Sequence, residues 1–322
     1  MLPIIYLSSY ILYRSIPNSF QRKMITTSSI ESFSCFSAPK NLNDKHNKVR
    51  ENIISSIING EIPPHYFENE QWMSLKTNID NYLDQLNERS PYSSVVCKQK
   101  GGRKYNYDFD IIFKNVDGHQ TLRNVEFKFN VNSVNQTPQF VSPVKTSQYM
   151  THSYEEYFFD NYIPQLSALS GFPIPNKETY LKEIHSNMPE CMKQYQSLYY
   201  SGCKASTHFT GDERAIEFYN ICKELSAESI QQFIEMADLR PDVLCDYLIK
   251  FQSDKIYMLF SKKSEIILEK TNIDDYIIDP ASYIKNPQKF RFECQSVNGK
   301  PIHILLRWKN GNGIAFPSFQ IS

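Results

Sequence analysis

Apolar positions fall at helical spacing in the first part of the chain and switch to strand-like runs near residue 93. Over residues 42–59, Val49, Ile53, Ile54, Ile57 and Ile58 share one helical face, and Gly60 with Pro63-Pro64 ends the pattern. A second helix is predicted over 69–88, with Trp72, Leu75, Ile79, Leu83 and Leu86 on one side and Ser90-Pro91 as its stop. Short β-prone runs follow at 93–99, 107–113 and 122–131, separated by the turn signals Gly101-Gly102 and Asp117-Gly118. The predicted order is helix, helix, three-strand meander.

Residues 154–251 return to helical periodicity, broken by Pro173, Pro175, Gly202, Gly211 and Pro241. Strands are expected again over 255–261, 265–270, 289–297, 301–309 and 314–321. There is no internal repeat and no linker that forces two domains. The expected class is α+β, with an α/β core. Residues 1–40 read as a leader or disordered tail and 41–322 as a single domain. Within that domain, 41–150 would hold the helices and meander, 151–250 a helical insertion, and 251–322 a β-rich completion of the first sheet.

Composition narrows the class. A chain of 322 residues with 41% hydrophobic side chains, 21 Tyr and 21 Phe can bury a sizeable core and is neither collagen-like nor broadly disordered. The 35 basic residues balance the 35 acidic ones, so no globally basic surface is expected. Their distribution is uneven. Residues 93–150 hold 8 Lys/Arg against 4 Asp/Glu, 285–322 hold 6 against 1, and 151–284 hold 12 against 21. Two basic β-rich segments thus flank an acidic helical one, and one basic face can meet a polyanion. Seven scattered Cys without a CxxC pair point to reduced thiols in an intracellular protein, cytoplasmic or nuclear, rather than a zinc site or disulfide scaffold.

No run approaches the ~18 apolar residues of a membrane span. Residues 2–13 are mostly apolar, with Arg14, Arg22 and Lys23 behind them rather than ahead, which is the wrong order for a secretory signal. An organellar transit peptide or an upstream extension before Met24 fits the same stretch; a plain tail is the reading adopted.

The chemistry lies in the meander. On the first strand Asp108, Asp110 and Ile112 share a face, opposite Phe109, Ile111 and Phe113; on the next, Glu126 and Lys128 share a face opposite Val125, Phe127 and Phe129. Antiparallel pairing is expected to bring Asp110 beside Glu126 and Lys128. Two carboxylates and an ammonium on one side of a sheet suit Mg²⁺-dependent phosphodiester cleavage, with Mn²⁺ as a substitute. Hard oxygen ligands hold the ion, the ion activates water, and a lysine steadies the developing charge. The same groups could equally form ordinary cross-strand ion pairs. No Walker loop, GxGxxG or Ser-His-Asp arrangement competes, and His119, His152, His208 and His303 lack metal-ligand spacing.

An Asp on one strand followed by Glu126-Phe127-Lys128 on the next, after an N-terminal helix, resembles the PD-(D/E)XK nuclease superfamily, the restriction-endonuclease-like fold. The resemblance covers roughly residues 42–150. It implies a mixed sheet flanked by helices. It also implies metal ligation by Asp110, Glu126 and the Phe127 carbonyl, with Lys128 near the attacking water. A helix acid often joins such sites, and Glu51 and Glu70 are both candidates. The Pro of the family pattern is absent: Tyr107 precedes Asp108 and Phe109 precedes Asp110, so Asp108 stays an alternative ligand. The implied activity is endonucleolytic cleavage of DNA, site-specific cutting included, to 5′-phosphate and 3′-hydroxyl ends. The helical block would shape DNA access or homodimerisation. The rival reading is a nucleic-acid-binding protein on the same fold without turnover.

Further contacts to DNA are expected from three places. Arg103 and Lys104 follow the Gly101-Gly102 pair, where a solvated turn is the alternative. Gln139 follows the second motif strand, where a plain loop is the alternative. Arg307 and Lys309 share a strand face beside Asn310-Gly311-Asn312-Gly313, with Trp308 pointing inward. Such basic side chains also serve to protect a sheet edge. The run Tyr154, Tyr157, Phe158, Phe159, Tyr162 reads as a helix core stripe rather than a base-stacking platform.

Overall fold

The computed structural model describes residues 43–100, 105–137, 139–141, 145–186, 188–253, 255–261, 265–308 and 313–322, with side chains from residue 47 onward apart from 139–141. In chain order the helices are α1 (Asn43–Ile58), α2 (Glu70–Leu86), α3 (Tyr154–Asn161), α4 (Ile163–Ser170), α5 (Lys177–Glu183), α6 (Lys193–Gly202), α7 (Glu213–Met236) and α8 (Pro241–Gln252). The strands are β1 (Tyr92–Gln99), β2 (Phe109–Asn115), β3 (Gln120–Phe129), β4 (Gln139–Val141), β5 (Lys255–Phe260), β6 (Ile266–Lys270), β7 (Ile278–Asn286), β8 (Arg291–Ser296), β9 (Pro301–Trp308) and β10 (Pro317–Ile321). The protein is α+β, as expected.

The chain groups into two compact units, one from Met1–Thr137 with Asp254–Thr271 and one from Pro138–Ser253 with Asn272–Ser322. Among the described residues no helix is long and apolar enough to cross a membrane.

Unit 1 is a five-stranded sheet in the order β1-β2-β3-β5-β6. Its pairs are antiparallel except β3 with β5, which run parallel. Parallel neighbours need a long crossover, and residues 130–254 supply it. The helices end where local chemistry dictates. Gly60, at φ +68, takes the left-handed turn that closes α1, its N–H donating to the Ile57 carbonyl. The Asn69 side chain caps α2 by accepting from the Gln71 and Trp72 amides at 3.0 and 3.4 Å. Both helices contribute to one core: Ile53, Ile54, Ile57, Leu75, Ile79 and Leu83 join Phe109, Ile111, Phe113, Val125, Phe127, Ile256, Met258 and Phe260. Burying each Phe or Ile contributes about 1.5–3 kcal/mol. That fixes the inward face of β2 and β3 and turns their alternate residues to the opposite face.

Unit 2 carries an antiparallel sheet in the order β4-β10-β9-β8-β7. Its core is strongly aromatic, with Tyr154, Phe158, Tyr162, Phe233 and Trp308 all buried, so the tyrosine-rich stripe of α3 is core as predicted. At Gly202 a Cβ would lie 1.9 Å from the Ala215 carbonyl oxygen, so the close approach of α6 to the start of α7 requires glycine there.

Three expectations change. The C-terminal segment completes the first sheet only through β5 and β6, while β7 to β10 form the sheet of unit 2. β7 went unpredicted because Asp279, Pro280 and Ser282 interrupt its apolar pattern, as an edge strand tolerates. Gln139 is not in a plain loop: it lies on β4, pairing with Ile321 of β10. Apolar alternation across only three residues is too short to read from sequence.

Candidate active site

The β2–β3 register pairs Phe109 with Val125 and Asp110 with Asn124. The Asp108 amide also donates to the Val125 carbonyl, at 2.9 Å, so Asp108 and Phe109 both address Val125 and the regular register ends there. Asp110 thus stands opposite Asn124 rather than Glu126, while Asp108 lies close enough to Glu126 for their charges to interact. Asp108 lies just ahead of β2, and its Oδ2 accepts from the Phe127 amide at 2.9 Å. Phe127 itself packs its ring into the core, against Phe260.

Glu126 is flanked by cations. Lys128, two residues on and on the same face, bonds its Oε1. Lys255 Nζ, from the first residue of β5, reaches Oε2 at 3.2 Å. Burial pushes the Glu126 carboxyl upward, but the two ammonium groups, Lys255 foremost, outweigh it and hold the group below its ordinary range. Asp108 has no such surplus: burial first, then the Glu126 charge, hold its carboxyl above the usual value despite the Phe127 amide and the more distant Lys128 and Lys48. Lys255 is depressed by burial, which the Glu126 charge only partly offsets.

Asp110 is buried, its Oδ2 paired with Lys100 Nζ at 2.9 Å. Its Oδ1 has no hydrogen-bond partner among the described residues, and neither has Oδ1 of its cross-strand neighbour Asn124. The Tyr107 hydroxyl is raised by burial and by a hydrogen bond with the Asp110 carboxylate.

The helix contribution also resolves. Glu51 is buried on α1 and pairs with Lys48, which acts electrostatically on Asp108. Glu70 sits exposed in the first turn of α2. Of the two candidate helix acids, Glu51 is the one linked to the carboxylate row. One face of unit 1 thus gathers Asp108, Asp110, Glu126 and Lys128 with Lys100 and Lys255, bordered by Lys48 and Glu51. Beyond it on the same face, Val96, Ile112 and Leu122 form a cross-strand row, with Val96 and Leu122 45% and 55% exposed.

Among the described residues no group of three or more His, Cys, Asp or Glu side chains already converges as a metal cage. The donors nonetheless suit a hard divalent cation in kind. They are carboxylate oxygens, and two buried oxygens, on Asp110 and Asn124, lack a donor.

The remaining expected nucleic-acid contacts are distributed differently. Arg103, Lys104 and Lys309 lie outside the described residues, as does the side chain of Gln139, whose backbone belongs to unit 2. Arg307, also in unit 2, is half-buried and donates to Gln320 Oε1 at 2.7 Å, and burial lowers its pKa. Trp308 points into the core, as predicted.

Lys255, Lys100 and Lys48 were not foreseen. The one available signal was Lys255 itself, a lone charge heading the run Ile256–Phe260, which is apolar throughout. Comparisons of the chain with protein-family models, with curated proteins and with solved structures find no match.

Proposed function

We propose that unit 1 carries a metal-dependent phosphodiester hydrolase site acting on DNA, in the manner that the PD-(D/E)XK resemblance implies. The observation that carries this reading is the grouping of Asp108 and Asp110 with Glu126 and Lys128, with Asp110 Oδ1 buried and without a donor among the described residues. A core-facing lattice of Phe and Ile holds those side chains rigidly, as a catalytic constellation requires. Asp108, Asp110 and Glu126 would hold the Mg²⁺ or Mn²⁺ ion. When bound, that ion activates water and neutralises charge on the phosphoryl oxygens. Lys128 then orients the attacking water and stabilises charge building on the phosphoryl group.

Electrostatics support a polyanionic substrate. Four carboxylates, Glu51 included, stand among four lysines (48, 100, 128 and 255), so the site does not repel phosphate as a bare acidic cluster would. The exposed row from Val96 to Leu122 leaves the adjoining face open to an extended substrate. Cutting of both strands would call for a second active site, which fits a homodimer.

A second reading has its own observation. Both Glu126 oxygens are engaged by lysines, which suits a nucleic-acid-binding protein that does not turn over.

Plasmid, single-stranded and branched DNA incubated with the chain and Mg²⁺, with and without EDTA, separates the two. Cleavage that EDTA stops and that Lys128→Ala abolishes, with DNA binding and thermal stability retained, upholds the hydrolase. Salt-dependent binding without cleavage of any substrate favours the second reading. Absence of both binding and cleavage removes each of them.

A further inference from the structure

Lys255 is the component of this site that its strand order alone could not suggest, and its surroundings define what it does. It opens β5, which pairs parallel with β3 so that Lys255 stands beside Asn124 and Tyr257 beside Glu126. Its side chain is only 6% exposed, and Nζ lies 3.2 Å from Glu126 Oε2. Lys128 holds the other oxygen. Each Glu126 oxygen thus already carries a lysine ammonium. The nearby Asp108 charge adds a smaller attraction to the Lys255 ammonium. A carboxylate oxygen has lone pairs for more than one partner, but an ammonium and a divalent ion held on the same oxygen repel each other strongly in a poorly hydrated setting.

We propose that Lys255 is a built-in counter-cation that holds Glu126, with Asp108 nearby, in the metal-free chain and competes with a divalent cation at Glu126 Oε2, so that it sets the metal affinity of the site. This deepens the hydrolase reading and rests on it. Lys255 is a positioning residue, distinct from Lys128, which meets the reacting groups. Removing its charge has two opposite consequences: the buried carboxylates lose a partner, and the competing cation is gone. Metal-free stability falls while divalent-ion affinity rises.

The test is Mn²⁺ binding to the full chain by isothermal calorimetry and by electron paramagnetic resonance, with no nucleic acid present. Lys255→Met is expected to bind Mn²⁺ about tenfold or more tightly than the unaltered chain, since a unit charge a few ångströms away is worth at least that at protein dielectrics. Lys255→Arg keeps the charge and is expected to stay within about threefold of the unaltered chain. Lys255→Gln repeats the neutralisation with a polar side chain, should Lys255→Met fold poorly. In both neutral variants, Mn²⁺ should raise the melting temperature more than in the unaltered chain.

Glu126→Gln separates the two levels of the argument. If it abolishes Mn²⁺ binding while Lys255→Met and Lys255→Gln bind no more tightly than the unaltered chain, the role of Lys255 is overturned and the metal site stands. If no form of the chain binds Mn²⁺, both are overturned.

Discussion

Both units bury acidic side chains, and they neutralise them in opposite ways. In unit 2, Glu155 on the first turn of α3 accepts from the Thr146 hydroxyl at 2.9 Å and pairs with His185 Nε2 at 2.8 Å, while the Ser153 hydroxyl reaches its second oxygen at 3.4 Å. Burial pushes that carboxyl up, but His185 first, then the backbone amide and Thr146, bring it below its ordinary range. In the aromatic core beside it, Trp308 Nε1 donates to the Tyr154 hydroxyl at 2.8 Å, and that hydroxyl also meets Ser229 at 2.9 Å. In unit 1, Asp108 is held above the usual range by burial and the nearby Glu126 charge, Asp110 keeps a buried oxygen without a donor among the described residues, and lysines stand beside them. A carboxylate buried to support a fold collects donors until it is satisfied. A carboxylate buried beside another one, with an oxygen left over, costs stability and is retained for some other use. The contrast can be broken or sharpened by substitution.

The largest effect belongs to unit 2. In Gly202→Ala the new methyl carbon would sit 1.9 Å from the Ala215 carbonyl oxygen and 2.8 Å from the Ile216 amide nitrogen, both backbone atoms that cannot swing aside. Helix α6 or α7 must shift, at a cost on the order of 3 kcal/mol by analogy with overpacked cores. Urea unfolding followed by far-UV circular dichroism measures it. A loss well under 1 kcal/mol would mean that the helices separate easily and that unit 2 is less tightly determined than its core suggests.

Glu155→Gln comes next, at about 2 kcal/mol, the usual worth of hydrogen bonds to a charged group. Its pH dependence has a definite sign. The folded-state pKa of Glu155 is lowered, so its contribution is complete above the unfolded value of about 4.3 and is lost as pH falls through the folded value. The variant should therefore lose stability at neutral pH and show a shallower decline below about pH 4. An acid limb as steep as that of the unaltered chain would assign acid unfolding to other carboxylates.

The same contrast marks what the amino-acid sequence makes legible. Helices α1 and α2 and the β1–β3 meander were readable because Ile53, Ile57, Leu75 and Ile79 repeat at helical spacing, while Phe109, Ile111 and Phe113 alternate. The facing of Asp108, Asp110, Glu126 and Lys128 followed from that alternation. The register did not, because turn geometry decides which residue of β3 stands opposite Asp110, and Asp117-Gly118 alone leaves the pairing open. Lys255 was out of reach for a different reason. Its place beside Glu126 depends on a parallel pairing made after the excursion of residues 130–254, and no local pattern encodes a contact across that distance. The sheet of unit 2 was misassigned for a related cause: strand-forming residues announce strands, but Phe292, Ile304 and Phe319 do not announce which sheet they join.

The smallest effect has the opposite sign, and it tests the comparison most directly. Asp108→Asn keeps an oxygen that can accept from the Phe127 amide, and it removes one of two like charges that lie near each other in a buried setting. The group is penalised by burial and by Glu126, which hold its pKa above the usual value, so neutralising it should raise stability at neutral pH. The expected gain appears as a higher melting temperature in metal-free buffer. Added Mn²⁺ should then narrow or reverse the difference, because the aspartate form gains a ligand that the asparagine form has given up. Glu155→Gln, by contrast, should respond to Mn²⁺ as the unaltered chain does. If Asp108→Asn instead loses stability on the scale of Glu155→Gln and is indifferent to Mn²⁺, Asp108 belongs with the structural carboxylates and the row it shares with Glu126 is a sheet-face ion-pair network.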